Sequence, residues 1–146
     1  DCAAAMMEMA NGALVTVSAT LGSATQITRQ RFVFANLVAE SDTQPYGAPA
    51  QGWTFTGDTP ELHERIQQAL SDFTPGPERF EGQFAAFYEA LRSDGPLPVT
   101  MNDSRRAIEL ITAFYRSAHG GRAVRLPLRR DAWYDGWRPF MEGHHG

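Results

Sequence analysis

A run of small and apolar residues, Cys2 to Met9, and a β-branched run, Ala13 to Ala19, meet at Asn11-Gly12, and three amphipathic helical patterns follow later in the chain. That order constrains the fold more than any other feature. Asn-Gly accepts the positive φ angles of a tight type I′ turn, so the opening predicts a β-hairpin. Gln26 to Ala35 reads as a third strand with Ile27, Arg29, Arg31 and Val33 on one face and Thr28, Gln30, Phe32 and Phe34 on the other. A face carrying two arginines is no simple core face. Leu37 to Glu40 continues extended, Asp42 to Gly52 is a Pro- and Gly-rich loop, and Trp53 to Thr56 is a short strand.

Helix signals take over from there. Asp58 or Thr59 caps a helix with Pro60 in its first turn, and Leu62, Ile66, Ala69, Leu70 and Phe73 recur at helical spacing until Thr74-Pro-Gly-Pro77. A second helix runs from about Phe80 to Arg92, expected to bury Phe84, Phe87, Tyr88 and Leu91, and stops at Asp94-Gly95-Pro96. Asn102 or Asp103 caps a third, with Ala107, Ile108, Ile111, Phe114, Tyr115 and Ala118 as its apolar stripe and His119-Gly120-Gly121 as its end. Ala123 to Leu126 predicts a returning strand, followed by the aromatic run Trp133 to Phe140. Strands, then helices, then one strand describe an α+β fold: a largely antiparallel open β-sheet with helices packed on one face. The other face then meets solvent, another domain or another subunit.

Composition narrows the function classes. A chain of 146 residues with 42% hydrophobic and 21% charged residues fits one compact domain over residues 1–140, and no apolar run reaches the length of a membrane helix. Asp1, without an initiator Met, reads as a cut inside a longer protein, and 141–146, with His144 and His145, as a possible affinity-tag remnant. One cysteine excludes an internal disulfide and, with four histidines, offers no structural zinc set; a cytoplasmic setting follows. A net charge of -4 makes nucleic acid a poor partner, although Arg122, Arg125, Arg129 and Arg130 leave the tail locally basic.

All 13 basic residues are Arg, so no catalytic lysine comes from this chain. Neither Gly-x-Gly-x-x-Gly nor Gly-x-x-x-x-Gly-Lys occurs, so no dinucleotide cradle is encoded. The Ser-Asp pairs at 41, 71 and 93 lack a nucleophile elbow and read as turns and caps. His63 is an exposed helix histidine or a pocket residue, His119 suits the carbonyls of a helix end, and the paired carboxylates fall at spacings that solvated helix faces produce by default.

Several segments, in order, resemble one family. Asp1-Cys-Ala-Ala-Ala, Ala10-Asn-Gly-Ala13 and Val17-Ser-Ala19 look like the strand-turn-strand of the second domain of Gfo/Idh/MocA oxidoreductases, which include glucose-fructose oxidoreductases and inositol dehydrogenases. Phe80-Glu-Gly-Gln-Phe84, Phe87-Tyr-Glu-Ala-Leu91, Gly95-Pro-Leu-Pro-Val-Thr100 and Asp103 to Ser117 are similar to its late helices. Ala123 to Pro127 and Trp133 to Trp137 resemble its closing strand and tail, while Asp42 to Pro60 fits least well.

The resemblance implies a C-terminal domain like those of dihydrodipicolinate reductase and glyceraldehyde-phosphate dehydrogenase. Its expected partner is an N-terminal Rossmann domain holding NAD or NADP. The implied reaction is hydride transfer at a sugar or polyol carbon, with a Lys from Glu-Lys-Pro and an Asp-His helix that have no counterpart in this chain. The isolated chain is therefore expected to bind no nicotinamide cofactor and to be inactive. Residue type and placement nominate Arg29, Arg31, Tyr46, Trp53, Arg79 and Trp137 for the substrate side. Val15, Val17, Ile27, Arg29, Arg31 and Val33 are nominated for a homo-dimer or tetramer interface. A non-catalytic oligomerisation or ligand-binding module is the competing reading.

Overall fold

The computed structural model describes residues 2–47 and 52–129. Its elements are β1 (Cys2–Glu8), β2 (Leu14–Thr20), β3 (Arg31–Val33), β4 (Leu37–Ser41), β5 (Trp53–Gly57), α1 (Pro60–Ser71), α2 (Arg79–Ser93) and α3 (Met101–Gly120). Strands precede helices, and the class is α+β. The strands form two small sheets, β1-β2 and β3-β4-β5, where a single open sheet was expected. The chain divides into two compact units, one of Asp1–Ala4 with Ser18–Glu89 and one of Ala5–Val17 with Ala90–Gly146.

The hairpin forms where Asn11-Gly12 placed it, but the turn is not type I′. Gly12 donates to the Met9 carbonyl at 2.9 Å and Met9 to the Ala13 carbonyl at 2.8 Å, with Gly12 alone at positive φ, 84°. One left-handed residue after a tight turn makes a three-residue loop with a bulge, which needs Gly only at its last position. Asn11 serves differently: its side-chain oxygen accepts the Ala13 N–H at 3.1 Å.

In the first unit, β3 is much shorter than Gln26 to Ala35. Ser41 N–H donates to the Gln30 carbonyl at 2.9 Å, but Gln30 N–H turns to the Ser41 hydroxyl, also at 2.9 Å. A side chain thus ends the ladder, and Ile27 to Gln30 continue without strand pairing. Antiparallel register sets Phe32 opposite Ala39 and Ala39 opposite Phe55, on one face. On that face Trp53 stacks with Phe32 at 5.8 Å and with Phe55 at 6.4 Å between ring centroids, and Ala39 and Ser41 are buried. Arg31, Val33, Val38 and Glu40 occupy the opposite face.

Thr59 caps α1, accepting the Leu62 N–H at 3.2 Å, with Pro60 in the first turn. A Cβ on Gly57 would lie 2.9 Å from Leu62 Cγ and 3.1 Å from the His63 backbone nitrogen, so the close approach of α1 to the end of β5 requires glycine there. Leu62 and Ile66 are half-buried, whereas Ala69, Leu70 and Phe73 are exposed, so only the first half of the expected stripe is covered.

The later helices have the expected bounds within a few residues, but they bury other faces. On α2, Phe84, Phe87, Tyr88 and Leu91 are exposed and Ala90 is buried. Ala90 is covered from the helix end. Asp94 takes φ 51° and Gly95 N–H donates to the Ala90 carbonyl at 2.9 Å, a Schellman turn that folds the chain back beside Ala90.

Thr100, rather than Asn102 or Asp103, caps α3, because Asp103 works better as the returning arm of a capping box. Its carboxylate accepts the Thr100 N–H at 2.9 Å and the Thr100 hydroxyl at 2.6 Å, and Thr100 Oγ1 accepts the Asp103 N–H at 3.3 Å. Gly121, at φ 60°, ends the helix as its glycines required.

The covered stripe of α3 is Glu109, Thr112 and Ala113, while Ile108, Ile111, Tyr115, Ala107 and Ala118 are exposed and Phe114 is half-buried. The returning strand over Ala123–Leu126 is also absent: Arg122 to Leu128 runs without strand pairing, and Leu128 N–H donates to Glu109 Oε1 at 2.6 Å. Pro127 has no N–H to give a ladder, and side chains of α3 take the Arg122 carbonyl and the Leu128 N–H on either side of the expected strand.

Candidate functional site

Within the first unit, the loop leaving β4 and the connection from α1 to α2 border an open cavity of about 770 Å³. The β4 side contributes Asp42, Gln44 and Gly52; the connection contributes Thr74 to Gly76, then Glu78, Arg79 and Glu81. Both walls are Pro- and Gly-rich stretches whose shape comes from backbone contacts.

On the first wall, Asp42 N–H donates to the Gly52 carbonyl at 2.6 Å, and Asp42 Oδ1 accepts the Gln44 N–H at 3.1 Å. A Cβ on residue 52 would collide with Asp42 Oδ2, so glycine is what lets the carboxylate lie there. On the second wall, a Cβ on Gly82 would collide with the Pro77 carbonyl oxygen, and Arg79 enters α2 at φ 56°. The chain is thus turned sharply between Pro77 and Gly82, which sets Glu78, Arg79 and Glu81 along the wall.

The lining combines three carboxylates and one guanidinium, a formal charge of -3 + 1 = -2. Carboxylates accept hydrogen bonds from hydroxyls, the guanidinium donates to hydroxyl oxygens, and the Gln44 amide does both. That inventory suits a ligand rich in hydroxyl groups. A phosphate or carboxylate would be repelled by most of it.

Of the nominated substrate-side residues that lie among the described ones, Arg79 alone lines this cavity. Arg29 and Arg31 both pair with Glu40, Arg31 Nε lying 3.9 Å from Glu40 Oε2, on the sheet face away from the aromatic stack. Trp53 sits inside that stack. Tyr46 is exposed at φ 62°, its N–H donating to Thr28 Oγ1 at 3.1 Å. Trp137 lies outside the described residues, as do the remaining aromatic tail and 141–146. Among the nominated interface residues, Val17, Ile27 and Val33 are exposed at 42%, 63% and 69%, and Val15 is half-buried. Asp42, Glu78 and Glu81 escaped the sequence reading because the two walls are distant in sequence and carry no periodicity. Their only signal was the pair of Gly- and Pro-rich connections.

No three His, Cys, Asp or Glu side chains among the described residues gather to hold a metal ion. The described strands are joined by antiparallel hairpins and a loop, and none runs into a Gly-rich helix start, the arrangement that a dinucleotide pyrophosphate requires.

The model of an oxidoreductase family's C-terminal alpha/beta domain, that of Gfo/Idh/MocA proteins, matches residues 1–126. The chain belongs to that family. No curated protein and no solved structure matches it. The Gfo/Idh/MocA match covers both walls of the cavity, all eight described elements and residues 121–126 after α3. As the C-terminal domain of an oxidoreductase, it implies an N-terminal partner domain. No helix among the described residues is long and apolar enough to cross a membrane.

Proposed function

We propose that this domain forms the substrate-side wall of an NAD- or NADP-dependent oxidoreductase that moves hydride to or from a sugar or cyclitol carbon. The family match over residues 1–126 carries this reading, and the hydroxyl-suited lining of the cavity supports it. The residues described here do not fit a nicotinamide dinucleotide, so cofactor and proton relay belong to an N-terminal Rossmann domain in a cytoplasmic protein. This domain's share is orientation. Hydride transfer needs the reacting C–H held at one distance and angle, and a polyol offers several similar hydroxyls, so a wall that binds the non-reacting ones selects the carbon that is presented. Arg79 donates to hydroxyl oxygens; Asp42 and Glu81 accept from hydroxyl protons.

Steady-state kinetics of the intact enzyme test this assignment. Arg79→Ala is expected to raise KM for the sugar or cyclitol about tenfold, the loss of one charge-assisted hydrogen bond. KM for the nicotinamide cofactor should stay unchanged. Unaltered sugar KM in Arg79→Ala and Asp42→Asn together would remove the cavity from the substrate path.

A second reading, a domain that serves assembly alone, draws on the exposed face holding Val33, Arg31 and Glu40. Apolar residues beside arginines are enriched at subunit interfaces. In an active dehydrogenase the two roles are compatible, since the cavity and this face use different residues.

A further inference from the structure

The chain leaving α3 does not continue away from the helix. Ser117 Oγ donates to the Arg122 carbonyl at 2.8 Å, and Leu128 N–H donates to Glu109 Oε1 at 2.6 Å. Residue 128 therefore lies nearer the start of α3 than residue 122 does, and the segment runs back along the helix. Between the two anchors lie Thr112, fully buried, and Ala113, at 5% exposure. Glu109, Thr112, Ala113 and Arg116 repeat at the spacing of one helix face, so the return path follows that face.

Glu109 is 6% exposed, and its other oxygen lies 3.6 Å from Arg105 one turn earlier. Arg105 is half-exposed, so the guanidinium faces the carboxylate while remaining in water itself. A buried carboxylate aimed at a backbone N–H is a strong, directional clasp. Few apolar side chains reinforce it: Leu126 is exposed at 44%, and Leu128 is half-buried.

We propose that Arg122 to Leu128 is a strap clasped to α3 by Glu109, able to open as a unit without melting the helix. Glu109 is a positioning residue in this device. Closed, the strap returns the chain to the first half of α3; open, it frees the Leu128 N–H and the Glu109 carboxylate from each other. The unit is defined by its anchors: a carboxylate at one end and a serine hydroxyl at the other, with the capping box and Gly121 holding α3 independently.

Limited trypsin digestion of the intact protein reads this directly, because Arg125 and Arg129 are exposed on or next to the strap while Arg106 reports on α3 itself. When reclosing outruns cleavage, the cutting rate follows the open population. Glu109→Ala is expected to speed cleavage after Arg125 and Arg129 about tenfold, the value of one charge-assisted hydrogen bond, with cleavage after Arg106 unchanged. Leu128→Pro, which removes the donor and leaves α3 untouched, should do the same even if Glu109→Ala fails to fold. Glu109→Gln keeps an acceptor oxygen and should restore most of the protection. Equal cleavage in parent and Leu128→Pro overturns the proposal, and so does cleavage after Arg106 rising in step with the strap sites.

Discussion

The three-stranded sheet and α3 cover opposite kinds of side chain. In β3-β4-β5, strict alternation decides the matter: Phe32, Trp53 and Phe55 gather on one face and the arginines on the other. On α3 the apolar residues Ile108, Ile111 and Tyr115 remain exposed and a polar stripe through Glu109 and Thr112 is covered. A sheet's neighbours are fixed by backbone pairing, so its face pattern is settled locally. A helix satisfies its own backbone, and what covers it depends on where the next segment goes.

Removing the aromatic stack should cost the most. Trp53→Ala is expected to destabilise the protein by about 3 kcal/mol, at the lower end for a large aromatic because the ring is only half-buried. Chemical denaturation measures it, and a loss below about 1 kcal/mol would show that the stack adds little to the sheet.

The α3 capping box comes next. Thr100→Ala should cost about 1 kcal/mol in the same measurement. The Thr100 hydroxyl first, and then its backbone N–H, hold the Asp103 carboxyl below its ordinary value of 3.8. A carboxyl depressed on folding stabilises the fold above that value and loses its contribution as pH falls below it. The stability gap between the parent and Asp103→Asn should therefore narrow on acidification, and a pH-independent gap would remove the ionised carboxylate from the cap.

The smallest effect on stability belongs to the charged sheet face. Val33→Asp, at 69% exposure, should change folding free energy by less than about 0.5 kcal/mol. If that face joins subunits, the same substitution shifts the intact protein toward monomer in sedimentation. Unchanged assembly would assign the contact elsewhere.

Legibility in the sequence followed the same division. Gly12, Thr59 with Pro60, Asp94-Gly95 and Gly121 each act within a few residues, and the hairpin, both strands after Ala35 and the helix bounds were readable from them. The end of β3 depended on a Ser41 hydroxyl eleven positions away, and the residues flanking the expected strand over Ala123–Leu126 bond to side chains of α3 instead. The cavity needed Asp42 and Arg79 brought together by two turns without periodicity. Arg79 was nominated for its residue type, and the carboxylates around it had no pattern to single them out.

The meander from β3 through α1 has a consequence for how the chain acquires its structure. Each strand pairs with its neighbour in sequence, and α1 settles on the strand directly before it. Contacts of this kind close short loops, so little chain entropy must be lost before the first pairing is rewarded. Residues 31–71 are therefore the natural place for folding to start, and the emerging chain can build this region before α3 and its strap exist.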